Sequence, residues 1–277
     1  MITLTDGKAP VNSAKETTVE TYGLFGISFC VVPKEVVAND IRLRARDNVP
    51  SSVILANAHV IVEAQKDPKL KTAIANASLV IPDGMPVAWV LRGKGQKFVE
   101  RYPGPNLMED IFRLEHSAAH FLLGSTPDIL GRISHRFKGS VAGSYSPPFT
   151  SNGFTEQEKY RQLELIEKRR PDFIWVGLGA PKQEAYVTEM ARRSSRGVWL
   201  GVGAAFDFLA GIKRRAPQFL QKAGLEWVFR FVTEPRRLGP RYLATNPAFI
   251  KLACREMIGR QSNGAADHDR TAQIRHE

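Results

Sequence analysis

Two glycine turns, each behind a short apolar run, carry polar side chains of the kind that hold a ligand. Gly177-Leu178-Gly179-Ala180-Pro181 leads into Lys182, Gln183 and Glu184, and Gly201-Val202-Gly203 leads into Asp207. Upstream, Asp83 stands in Pro82-Asp83-Gly84 behind the apolar run 79–81, and Asn57 and His59 stand just behind the run 52–56. A carboxylate at a strand end has the chemistry of a general base, and amides and carboxylates beside glycine turns suit a polar ligand. The cationic groups lie elsewhere. Residues 213–260 hold eleven Lys/Arg against three acids, which is eight of the eleven excess positive charges of the chain. Arg230, Arg236, Arg237 and Arg241 belong to that segment, and Arg101 lies in a separate basic stretch, 94–102. Such a patch meets an anion: a phosphate group, a nucleic acid or an acidic lipid.

Each feature also has a plainer reading. Asp before Gly commonly caps a helix, and spacing alone favours that role for Asp83. Glycine turns after strands are often no more than tight geometry. A histidine such as His59 is more often a helix-start or surface residue than a ligand.

The elements around these residues follow from period and punctuation. The runs 172–178 and 198–202 are apolar without helical period, as strands buried on both faces are. Pro181 suits the first turn of a helix. The runs 23–32, 52–56, 79–81, 121–123 and 141–145 read as further strands. Helices are predicted from Pro33 to about residue 46, over 60–66, 68–76 and 85–92, from a cap at Asn106 to 116, after Pro127, and from a Thr155/Glu158 capping box to 169. The loop 147–152 is placed to serve as a lid. Strand and helix alternate from 23 to 203, which predicts an α/β fold: a three-layer, Rossmann-like domain with a mostly parallel sheet. Parallel strands bring Asp83, Asn57, Gln183 and Asp207 to one carboxyl edge, where such sheets bind ligands.

Beyond Gly211 the character changes. The segment 217–232 reads as a helix broken by Pro235, and 247–258 as another, with Phe219, Trp227, Phe229, Phe231, Tyr242 and Phe249 among basic residues. A basic amphipathic helix of this kind fits a membrane surface, or else packs on the core with a solvated basic face. The organisation expected is a mobile segment 1–20, an α/β catalytic domain 21–212, a basic helical membrane-facing appendage 213–260 and a disordered tail 261–277.

Several classes are excluded. Lys182 and Phe206 occupy the third glycine position of a dinucleotide fingerprint, which weakens a nicotinamide-dependent oxidoreductase, and no Gly-Lys-Ser/Thr follows either turn. The one Asp-x-Asp, Asp267 with Asp269, lies in the polar tail, and no His/Cys cluster has metal-ligand spacing. With 277 residues, 43% apolar and 24% charged, the chain has ordinary globular composition. Two cysteines, Cys30 and Cys254, rule against a disulfide framework, and both read as buried thiols. No secretory signal shows, and the longest apolar run, 24–32, is too short to span a bilayer, so a cytoplasmic protein is expected.

GLGAPKQE from Gly177, GVGAAFDFLAG from Gly201, RAP from Arg215, GLEWVFR from Gly224, EPRR from Glu234 and the upstream Pro82-Asp83-Gly84 together resemble the WecG/TagA/CpsF family of glycosyltransferases, over roughly residues 22–243. The resemblance implies an inverting transferase that works without a metal or other cofactor. It moves a sugar from a UDP-sugar to a polyprenyl-diphosphate-linked saccharide, at the inner face of the cytoplasmic membrane. It implies Asp83 as catalytic base, Arg101 facing phosphate, and Arg230 and Arg237 closing the site from an appendage that meets the anionic membrane. Asn57, Gln183 and Asp207 then contact the substrate, with Gly179 and Gly203 in the turns. One position departs. Members that transfer N-acetylmannosamine carry threonine two residues before the asparagine, and here that residue is Leu55; Pro240 also stands where an arginine is often found. The missing hydroxyl keeps UDP-glucose beside UDP-N-acetylmannosamine and its uronic acid as donors. The reading from charge alone, a basic nucleic-acid-binding protein, stands as the alternative, although no helix-turn-helix, RRM or zinc pattern supports it. The oligomeric state is left open, a homo-oligomer included.

Overall fold

The computed structural model describes residues 19–150 and 153–259. The predicted disordered tail, most of the predicted N-terminal mobile segment and part of the predicted lid lie outside the described residues. Val19, within that segment, is buried, and Glu20 accepts a backbone bond from Val31 at 3.0 Å.

The chain opens with β1 (Thr21–Leu24) and β2 (Ile27–Cys30), an antiparallel pair. The single strand expected over 23–32 is therefore a hairpin. Its turn, Phe25-Gly26, has φ of 58° and 74°, and the apolar, buried Phe25 conceals it in the sequence pattern.

Six parallel strands follow: β3 (Ser51–Ala56), β4 (Leu79–Pro82), β5 (His120–Gly124), β6 (Val141–Tyr145), β7 (Phe173–Gly177) and β8 (Val198–Gly201), in the order β4-β3-β8-β7-β5-β6. The strands on the site side, β3, β4 and β8, are buried throughout, which is why they read as unbroken apolar runs. Helices α1 (Lys34–Arg46), α2 (Ala58–Lys66), α3 (Pro68–Ala75), α4 (Met85–Gly93), α5 (Gly104–Leu114), α6 (Pro127–Arg136), α7 (Glu156–Arg169), α8 (Lys182–Arg193) and α9 (Ala205–Leu209) complete the domain. Ile61, Ile74, Ile166 and Val187 bring α2, α3, α7 and α8 onto one face of the sheet. Ile41, Ile111, Ile133 and Phe206 bring α1, α5, α6 and α9 onto the other. The result is a three-layer Rossmann-like α/β fold.

The appendage is α10 (Gln218–Lys222), α11 (Glu226–Thr233) and α12 (Pro235–Ile258). It corrects two expectations. The helix predicted over 217–232 is two, parted at Gly224, whose φ is 74°. Pro235 opens α12 instead of ending a helix, because the first turn leaves its missing N–H without consequence. That helix then runs 24 residues through Pro240 and Pro247. Each proline removes one backbone bond, and packing supplies what is lost: Leu238, Thr245 and Phe249 are buried, and Phe249 meets Phe25 edge-on at 5.7 Å.

Three smaller corrections belong here. Helix α5 begins at Gly104 behind Pro103, so Asn106 lies inside it and caps nothing; its Oδ1 accepts from Arg215 Nη2 at 2.7 Å. Thr155 caps α7, but Glu158 bonds Tyr145 and Gln162 and does not close the predicted box. Cys30 is buried as expected, whereas Cys254 is exposed on α12.

Candidate active site

The order β4-β3-β8-β7 sets four strand ends side by side. Asp83 follows β4, Asn57 follows β3, Gly203 follows β8, and Gly179 and Gln183 follow β7. The backbone binds them together. Asp83 N–H donates to Ala56 O at 3.1 Å, and Val202 and Gly203 both donate to Val176 O, at 3.0 and 3.2 Å.

Asp83 does not cap α4. Gly84, at φ 151°, occupies the cap position, and no side chain serves it. The Asp83 carboxylate instead accepts from Asn57 Nδ2 at 3.4 Å. Asn57 has two duties, since its Oδ1 caps α2 by accepting from His59 N and Val60 N at 3.1 and 3.2 Å. That capping fixes the amide and turns its NH₂ toward Asp83. Burial pushes the Asp83 carboxyl up to about 7; the Asn57 bond and the charges of Arg230 and Arg101 pull the other way. A carboxyl with that affinity for protons exchanges them at neutral pH, which suits a general base.

Gln183 is buried in the first turn of α8 and joins the two glycine turns. Its Oε1 accepts from Gly203 N–H at 3.0 Å, and its Nε2 donates to Glu184 Oε1 at 3.3 Å. Gly203 has φ 52°, and a Cβ on Gly201 would come within 3.1 Å of the Gln183 side chain. The close seating of Gln183 favours glycine at 201, and the left-handed backbone of the turn favours it at 203. Gly179 O accepts from Gln183 N at 3.2 Å.

The appendage lies over this edge. Tyr102 N–H donates to Pro82 O at 2.9 Å and so fixes the neighbouring Arg101 above β4. Arg101 donates from Nη1 to Glu226 Oε2 at 2.9 Å and from Nη2 to Gln221 O at 2.8 Å, tying this segment to α10 and α11. Arg230 lies over the Phe208 ring, 5.6 Å from its centroid, and its charge reaches Asp83. Arg237 is exposed and pairs with Glu234. Asp207 pairs with Lys213 at 2.8 Å, and Lys213 reaches Glu234 at 3.3 Å, so Asp207 and Arg237 are the ends of one chain of ion pairs. The structure thus brings Asp83, Asn57 and Arg230 together, joins Gln183 to Gly203, and holds Arg101 and Arg237 through acidic partners on α11 and beside it.

Three residues outside the predicted set of site residues emerge. Glu226 holds Arg101. Arg241 is half-buried, desolvated and close enough to Arg230 and Arg237 for their charges to lower its proton affinity. Glu184 is only 1% exposed. The sequence signal for Glu184 was its place behind the first glycine turn, and for Arg241 its place in the arginine-rich segment. His59 is the helix-start residue the plainer reading gave: its Nδ1 lies 3.3 Å from Thr245 Oγ1 on α12, and burial drops it to about 4, so it is neutral. Leu55, marked for its missing hydroxyl, is buried under the site, where a Cβ on Gly104 would lie 3.3 Å from its Cδ1. Among the described residues, no group of three or more His, Cys, Asp or Glu could hold a metal ion, and no helix is long and apolar enough to cross a membrane.

Comparison with known proteins adds a family model, described as Glycosyl transferase WecG/TagA/CpsF family, that matches residues 22–263. Among similar curated proteins is the N-acetylglucosaminyldiphosphoundecaprenol N-acetyl-beta-D-mannosaminyltransferase of Staphylococcus aureus strain NCTC 8325 / PS 47. It is 27% identical over 190 residues, covering 68% of this chain and 74% of the relative. The proteins of the same name from strains COL and MRSA252 match at the same identity and coverage.

Proposed function

Because the chain belongs to the WecG/TagA/CpsF family and is a glycosyltransferase, we propose that it moves a sugar from a UDP-sugar to a saccharide carried on a polyprenyl diphosphate. The observation that carries this reading is the Asp83 carboxyl, held by Asn57 and poised near neutrality beneath the Arg230 side of a basic appendage. The acceptor is supported by the Staphylococcus aureus relatives, whose name gives N-acetylglucosaminyldiphosphoundecaprenol as their acceptor.

In the proposed reaction, Asp83 takes the proton of the acceptor hydroxyl as its oxygen attacks the anomeric carbon. The new C–O bond forms as the bond to the diphosphate oxygen breaks on the opposite side, so the configuration inverts. UDP leaves with the electron pair. Guanidinium groups of Arg230 and Arg237, with Arg101 behind them, meet the charge that grows on the diphosphate, the work a divalent cation does in many nucleotide-sugar enzymes. Gln183, Asp207 and the turns at Gly179 and Gly203 hold the nucleotide. Asn57 orients the base.

The appendage gives the protein a place to meet its lipid. Phe219, Val232 and Leu243 are exposed by 69%, 70% and 78% on α10, α11 and α12, beside Arg236 and Arg237. Apolar side chains flanked by cations fit the inner, anionic face of the cytoplasmic membrane. A duplex-binding surface fits less well, since Arg101, Arg215, Arg230 and Arg241 turn inward to proteins' own groups and to the site.

The test is a screen of UDP-glucose, UDP-N-acetylmannosamine and its uronic acid against a polyprenyl-diphosphate-N-acetylglucosamine, with and without chelator, reading UDP release and product anomer. One donor should give inverted product at a rate that chelator leaves unchanged. Retention of configuration, or loss of turnover on chelation, contradicts the mechanism; release from none of the three contradicts the substrate assignment.

A further inference from the structure

Among the described residues, seven buried side-chain polar atoms find no hydrogen-bond partner in the protein. Four belong to the site and the appendage over it: Glu184 Oε2 and the Nε atoms of Arg215, Arg230 and Arg241. Buried polar groups are nearly always partnered, so such a concentration in one place calls for an explanation. The arginine atoms are donors, and a diphosphate accepts from donors. Glu184 Oε2 is different, because a carboxylate oxygen deep in an anion-binding site has no use for phosphate.

Glu184 is held as if for a purpose. It is 1% exposed, in the first turn of α8 beside Gln183. Its Oε1 accepts from Gln183 Nε2 at 3.3 Å, which fixes the carboxylate plane and leaves the second oxygen free. Asp83 at the end of β4 and Arg241 on α12 are the charged groups that act on it, and no ion pair joins it to either. Burial raises its carboxyl to about 7, since desolvation outweighs the Gln183 bond and the charge of Arg241. A group that completes it must donate a hydrogen bond and must come with an anion for the neighbouring arginines. A sugar hydroxyl attached to a diphosphate has both properties.

We propose that Glu184 is a ligand-binding residue of the donor site, whose Oε2 accepts a hydroxyl of the UDP-sugar, either of the ribose or of the transferred hexose. This rests on the transferase reading above and adds a residue that sets the orientation of the donor within it.

The test compares wild type with Glu184→Gln and Glu184→Leu, measuring thermal stability without ligand and the affinities of UDP and of the UDP-sugar that the donor screen identifies. Glu184→Gln removes a buried, half-partnered charge and keeps an acceptor for Gln183 Nε2, so it is expected to melt at or above the wild-type temperature, while a merely structural carboxylate would make it melt lower; Glu184→Leu leaves that amide unpartnered and is read for binding alone. Glu184→Leu should weaken UDP-sugar binding by roughly 10-fold or more, the usual size of a lost hydrogen bond to a charged group, and Glu184→Gln by less. Equal weakening for UDP assigns the ribose hydroxyl; weakening confined to the UDP-sugar assigns the hexose. If folded variants bind both ligands as wild type does, the proposal is overturned and the transferase reading stands. If wild type itself binds neither, both fall.

Discussion

At the scale of single residues, the strongest commitment is Asp83. The proposed base must be ionised to accept a proton, and its affinity near 7 places that change inside the working range. The value of kcat/KM should therefore climb with pH on a limb centred near 7. Asp83→Asn should lower turnover by about 100- to 10,000-fold, the usual share of a general base, with UDP affinity little changed. It should also raise the melting temperature above pH 7, since it removes a buried charge that only there is fully ionised. Normal turnover in this variant contradicts the assignment. The sequence went part of the way to this residue. It placed Asp83 at a strand end, but spacing favoured a helix cap, and only three-dimensional structure shows Gly84 taking the cap while Asn57 takes the carboxylate. Glu184 was legible as a polar residue behind a glycine turn, but its burial was not, because that depends on how α8 is rotated over β3 and β8, and four residues of helix do not encode that rotation.

At the scale of elements, the appendage carries the argument. Arg230 on α11 favours the ionised form of Asp83 on β4, so the two elements share one titration. Arg230→Gln should move the rising limb of kcat/KM to higher pH, because the carboxylate loses a stabilising cation, and should weaken UDP as well. A limb that stays put would show that α11 does not sit over β4 in the working enzyme. The exposed apolar surface proposed to meet the membrane makes a separate prediction. Val232→Glu with Leu243→Glu should reduce cosedimentation with phosphatidylglycerol vesicles at least severalfold, leaving UDP binding in solution unchanged, since exposed positions seldom alter stability by more than ~0.5 kcal/mol. The strands of the parallel sheet and most core helices were legible from period and punctuation, β6 among them despite its partial exposure, whereas the β1–β2 hairpin read as one strand. The appendage was not legible. Pro235, Pro240 and Pro247 are local signals against a helix, and contacts distant in sequence override them: Phe249 against Phe25, Thr245 at His59, and Glu256 accepting from Phe25 N–H at 3.3 Å.

At the scale of the whole molecule, the site leaves a mark on acid stability. His120 is fully buried, accepts from Trp175 Nε1 at 3.0 Å, stacks on Phe112 and Phe173, and is pushed down to about 4. His59 is lowered to about 4 as well. For both, the unfolded chain binds protons more readily than the folded one, so stability present above about 6.5 is lost as pH falls toward 4. Asp83 and Glu184 work in the opposite sense. Their folded affinities near 7 exceed the ordinary carboxylate values, so the native state takes up protons first and gains stability over the same fall in pH. Two rising and two falling contributions overlap between about 4 and 7 and largely cancel, and the wild-type melting temperature should vary little across that window. The double variant Asp83→Asn/Glu184→Gln keeps the histidines and removes their counterweight. Its stability should fall below pH 6.5, by at most roughly 2–3 kcal/mol per pH unit while both histidines titrate. Parallel profiles for the two proteins, measured by denaturant unfolding at pH 7, 6 and 5, would mean that the site carboxyls hold no excess protons in the folded state. The requirement that the site keep protonatable carboxyls buried would then lose its support from outside the reaction.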